Sequence, residues 1–120
     1  LMGHVSEDAF QDQVVVPWIR EQHPEADIET NRYLDHVENG CFADVWVDLG
    51  THSLAIEVGN NDSTVGAEAQ QAMKYAAYSP AAVPVVMVPV GHADPAVVDI
   101  WEGRGVMVWM LPADSIEDHA

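Results

Sequence analysis

The run from Phe42 to Asn60 constrains the fold more than any other part of the chain. Val45, Val47 and Leu49 alternate with Asp44, Trp46 and Asp48, and further on Leu54, Ile56 and Val58 alternate with Ala55, Glu57 and Gly59. A period of two over both arms predicts two paired strands. Gly50-Thr51 between them suits a two-residue turn with glycine at its first central position. Such a turn sets the register: Leu49 faces His52, and counting back places Asp44 opposite Glu57. Directly opposed side chains sit roughly 5 Å apart at Cβ, and like charges there destabilise the pair. Two readings stay open. Asp44, Asp48 and Glu57 lie on a solvated face, or Asp44 and Glu57 hold a divalent cation between them.

The rest of the chain supplies the context. Its 120 residues predict one domain, 1–120, with a core of two or three layers. No run of eighteen apolar residues suggests a membrane span, and no charged-then-apolar leader suggests secretion. Cys41 is the one cysteine, so no internal disulfide is expected. Twenty acidic residues face only four basic ones (Arg20, Arg32, Lys74 and Arg104), a net charge of −16. The acids are spread through every segment. In dilute salt that field repels both itself and nucleic acid. At molar salt the Debye length falls to about 3 Å and most of the repulsion is screened. This predicts the high-salt cytoplasm of a halophile, or of the host if the protein is viral.

Ser6 reads as an N-cap, with Glu7 and Asp8 in the first turn of a helix running to Gln22. Phe10, Val14 and Trp18 make its apolar stripe, Glu7 and Gln11 share that stripe, and Pro17 should kink or split it. A strand from Ala26 to Leu34 and a polar loop from Asp35 to Gly40 precede the hairpin. Caps within Asn60 to Thr64 should start an alanine-rich helix ending near Tyr78, with Gln71, Lys74, Tyr75 and Tyr78 on one face. Val83 to Val90 reads as a central strand, narrowed to Val85–Val88 by Pro84 and Pro89. Asp94-Pro95 opens a helix through Trp101, Val106 to Leu111 forms the last strand, and 112–120 should fray. The order αβββαβαβ predicts an α/β three-layer sandwich with a central mixed sheet and helices on both faces.

This order, with these residues in these places, resembles the PD-(D/E)XK nuclease superfamily, the restriction-endonuclease-like fold, from Ser6 to about Leu111. Asp44 in Phe42-Ala43-Asp44 and Glu57 in Ala55-Ile56-Glu57-Val58 match the family's two metal-binding acids. Glu7 matches the acid that many members carry on the first helix. Gln71 and Tyr75 match a glutamine and tyrosine four apart in several branches. One position departs: the family's lysine, two residues after the glutamate, is Gly59 here. Either the lysine has migrated to Lys74, the chain's one lysine, or the site has degraded.

The resemblance implies a metal-dependent DNA endonuclease or exonuclease that hydrolyses phosphodiester bonds. Asp44, Glu57, the carbonyl of Val58 and Glu7 would bind Mg2+ or Mn2+, Lys74 would neutralise charge, and Gln71 and Tyr75 would orient the metal's surroundings or contact DNA. It also implies a homodimer, with Val106, Val108 or Trp109 as its exposed surface if the last strand is an edge. The alternative is a catalytically inactive, nuclease-like dimeric binding or scaffold protein. A third reading, an acidic module mimicking DNA, is disfavoured by the spread of the charge. The six histidines show no metal-ligand spacing, and no glycine-rich phosphate loop is present.

Overall fold

Five strands form one mixed sheet in chain order, β1 (Asp27–Leu34), β2 (Cys41–Asp48), β3 (Ser53–Val58), β4 (Ala82–Pro89) and β5 (Met107–Leu111). The first three are antiparallel, and β4 and β5 continue the sheet in parallel. This computed structural model describes residues 6–34, 41–60, 64–77, 79–91, 93–114 and 116, without the side chains of 33, 34, 41 and 42. The expected loop 35–40, the cap candidates Asn61, Asp62 and Ser63, and Tyr78 lie outside the described residues.

The pleat sorts the apolar residues into two layers. Val45, Val47, Leu54, Ile56, Val58, Val85 and Met87 pack against Phe10, Val15, Val16 and Ile19 of the N-terminal helical run. On the opposite face, Val86, Val88 and Val108 pack against α3 (Gly66–Ala76) and α4 (Pro95–Gly103) through Ala69, Val98 and Trp101. A smaller group, Ala43, Trp46, Ala55, Tyr75 and Ala76, extends that second layer towards β2.

Local chemistry accounts for the element ends. Ser6 caps α1 (Glu7–Phe10), its Oγ accepting from the Ala9 amide at 3.1 Å. Pro17, expected to kink or split the helix, follows a π-helical segment, Gln11–Val15, that leads into α2 (Val16–Gln22). The widened turn carries the chain into a residue that has no amide hydrogen to give. Asp94 caps α4, accepting from the Ala96 amide at 2.9 Å. The start of α3 differs from expectation: the helix begins at Gly66, and its N-cap is Val65, at φ 70° with no side-chain cap. A β-branched residue at positive φ costs about 1–3 kcal/mol and persists only where its surroundings hold it. Val65 is fully buried beside Ala69, Val86 and Val88, which supplies that hold.

One further expectation is corrected. Strand β4 includes both prolines. The Val90 amide donates to the Leu111 carbonyl and the Gly59 amide to the Met87 carbonyl. Even-numbered residues of β4 therefore turn their backbone groups to β5 and odd-numbered ones to β3. Pro84 would face β5 before β5 begins opposite Val85, and Pro89 would face β3 beyond its end at Val58. Neither missing donor breaks a ladder. Of the segment 112–120, expected to fray, Ala113 is buried and Ile116 packs on the core, while 115 and 117–120 lie outside the described residues.

Candidate functional site

The hairpin turn has the expected geometry. Gly50 sits at φ 92° and the Leu49 amide donates to the His52 carbonyl at 2.9 Å. Register then pairs Asp48 with Ser53, Val47 with Leu54, Trp46 with Ala55 and Val45 with Ile56. One step further lie Asp44 and Glu57, and there the ladder opens. The Val58 amide, which would bond to Ala43 had pairing continued, donates to Asp44 Oδ2 at 2.9 Å. The Asp44 amide in turn donates to Glu57 Oε2 at 3.1 Å. Each carboxylate thus holds a backbone group at the other's strand.

The break extends to β1. Pairing passes from Thr30↔Val45 to Arg32↔Ala43, skipping Asn31 and Asp44, and Asn31 stands at φ 52°. Ala43 and Trp46, three residues apart, pack in the same small cluster, so the alternation of faces also breaks between them. Asp44 occupies the point where β2 leaves the regular pleat.

Around this point lies a cleft of about 200 Å³ lined by Glu7, Asp44, Glu57, Val58, Ala67, Glu68 and Gln71. Burial, then the charges of Asp44, Asp8 and Glu68, raise the Glu7 carboxyl to about 7. Burial, then the charge of Asp44, raise Glu57 to about 8. Asp44 is also raised by burial, against the lowering effect of the Val58 amide. None of the described residues lining the cleft is basic.

The structure therefore brings together Glu7, Asp44, Glu57, Val58 and Gln71. Tyr75 joins them through its hydroxyl, which donates to Gln71 Oε1, while its ring is buried against the sheet. Lys74 is exposed and is not among the lining residues. Gly59 is buried, its amide bonded to β4. Asp48 is exposed and accepts from the Gly50 amide, a turn role. Sequence reasoning missed Glu68. Its signal was the spacing Glu68, Gln71, Tyr75, which sets the three on one stripe of α3. A larger concavity of about 410 Å³ lies at the turn end of the hairpin, lined by His23 and His52 among others. It contains no buried carboxylate.

The donor set suits a hard divalent cation: carboxylate oxygens, crowded together and partly buried. The alternation of β3 also turns the Val58 carbonyl to the Asp44 side. Among the described residues, no three acids, histidines or cysteines are already gathered as metal ligands.

No family profile and no curated protein sequence matches the chain. Among solved structures, a crystallised protein of unknown function designated AF1548 is similar in fold, with a TM-score of 0.65 at 14% identity, over 83% of this chain and 56% of that one. A crystallised repair endonuclease from Pyrococcus abyssi is similar with a TM-score of 0.61 at 14% identity, over 93% of this chain and 50% of that one. The chain thus spans about half the length of either. Likeness at this identity speaks for an α/β fold of the kind found in that endonuclease, and for the fold alone.

Proposed function

We propose that the protein is a divalent-metal-dependent DNA nuclease of the PD-(D/E)XK type, cutting phosphodiester bonds at the cleft between β2, β3 and α3. The observation that carries this is the reciprocal pairing of Asp44 and Glu57 where the hairpin ladder opens. The likeness in fold to a repair endonuclease supports the same reading.

Asp44, Glu57, the Val58 carbonyl and Glu7 would hold Mg2+ or Mn2+. When bound, such an ion supplies Lewis-acid polarisation of a phosphoryl oxygen and lowers the pKa of a bound water. Tyr75 anchors the carbonyl end of the Gln71 amide, which leaves the nitrogen end as a donor for a phosphate oxygen or a water. Lys74, exposed one turn beyond Gln71, is assigned the charge-neutralising part. With so few basic residues, DNA contact would rest on metal bridging, backbone amides and shape rather than on a basic stripe. The net charge of −16 supports a working environment of molar salt, as in a halophile.

The test is cleavage of branched, nicked and linear DNA in molar KCl with Mg2+ or Mn2+. Asp44→Ala and Glu57→Ala should each lower the rate by at least about 100-fold, the scale set by groups that stabilise transition-state charge. Cleavage that survives either substitution sinks the assignment. Gly59 at the lysine position, and the lack of a basic residue among the described lining residues, favour one second reading: a nuclease-like binding protein that no longer cuts. It requires DNA binding without cleavage in the wild type, unaffected by Asp44→Asn.

A further inference from the structure

The two edges of the sheet differ in character. At one edge, β1 carries Asp27, Glu29 and Arg32, and its Asn31 stands at φ 52°. Charge and irregular backbone are the devices that discourage strand addition. At the other edge, β5 reads Met-Val-Trp-Met-Leu, with no charge, no proline and no glycine. Among the described residues no strand pairs with its outer side. The expected surface residues are not the exposed ones. Val106 and Val108 are buried, and Trp109 packs edge-on against Trp18 at 5.4 Å. Met107 and Met110 are exposed instead, with Val90 beside them through its bond to Leu111.

The backbone specifies how this edge can be extended. The Leu111 carbonyl accepts from β4, so Leu111, Trp109 and Met107 turn their backbone groups inwards. Val108 and Met110 turn theirs outwards, because direction alternates along a strand. We propose that β5 pairs antiparallel with β5 of a second copy of this chain, about a two-fold axis at Trp109. In that register Val108 meets Met110 of the second copy, and the reverse. Both outward-facing residues then exchange amide and carbonyl bonds, and the whole strand overlaps itself. Trp109 meets its own copy at the closer, non-hydrogen-bonded spacing, roughly 4.5 Å between Cα atoms.

Charge singles out a second copy as the occupant. In a chain of net charge −16, this strand is an uncharged stretch on which two like-charged molecules can meet. A two-fold contact of this kind needs no second complementary surface.

Sedimentation of the full chain in molar KCl tests the proposal, together with residue-level amide exchange. The wild type should sediment at the mass of two chains, and the Val108 and Met110 amides should be protected along with those of Met107, Trp109 and Leu111. Met110→Lys, at an exposed position, should give single chains with an unchanged far-ultraviolet spectrum and release the Val108 and Met110 amides. Ile100→Lys, at an exposed apolar position on α4, should leave the dimer intact. A monomeric wild type overturns the proposal and leaves the edge to a different partner. So does a dimer that Met110→Lys does not affect, or fast exchange at Val108 and Met110 in the wild type.

Discussion

Glu57 is 7% exposed, and none of the described residues lining its cleft is basic. A buried carboxylate in that position prefers its neutral form, and the neighbouring Asp44 strengthens the preference. The consequence for stability has a definite sign. An unfolded glutamate titrates near 4.5, whereas Glu7 and Glu57 hold protons to about 7 and 8 in the folded chain. Folded protein therefore binds more protons between those limits, and its stability falls as pH rises through them. Thermal melts of the metal-free protein should drop between pH 5 and pH 8.5 in constant salt. Glu57→Gln should flatten that slope, and Mg2+ or Mn2+ should restore the melting temperature at the alkaline end. A slope that Glu57→Gln leaves unchanged would place the proton elsewhere. The meeting of Asp44 and Glu57 was legible in the sequence because a tight turn counts residues without ambiguity. Glu68 shares a stripe of α3 with Gln71 and Tyr75, but that spacing becomes a place in the cleft only once α3 is laid across the sheet.

The hairpin is the element on which this geometry rests. Gly50 at φ 92° lies where an L side chain is disfavoured, although a Cβ there would meet no neighbouring atom. Gly50→Ala should therefore cost about 1–2 kcal/mol through the backbone alone. Denaturant melts measure it, and a neutral result would mean that the turn relaxes to another type. Element types were readable from periodicity, and α4 from its Asp-Pro start. Misreadings arose where tertiary packing overrides local chemistry. Val65 begins α3 without a polar cap because the core grips its side chain, while the polar run before it offered several better candidates. Pro84 and Pro89 seemed to shorten β4, yet each faces a side where the neighbouring strand is absent. After Leu111, Ala113 and Ile116 tie the described part of the tail to the core.

At the scale of the whole molecule, charge dominates. Repulsion among the acids weakens as the Debye length shrinks from about 10 Å at 0.1 M salt to about 3 Å at 1 M. The melting temperature should rise by more than about 5 °C between dilute and molar KCl, a shift worth roughly 1 kcal/mol for a domain of this size. Chloride keeps the salting-out contribution smaller than sulfate would. A flat response would remove the halophilic reading and leave the acids without an environmental explanation. The charge was fully legible from composition, whereas the contrast between the two sheet edges required the strand order.

That contrast limits how far assembly can proceed. Joining two bare margins about a two-fold axis produces a ten-stranded sheet whose outer strands are both β1, each studded with acids and bent at Asn31. Neither rim offers a third molecule a place to add, so growth stops at a pair and the crowded acidic chain avoids running on into fibres.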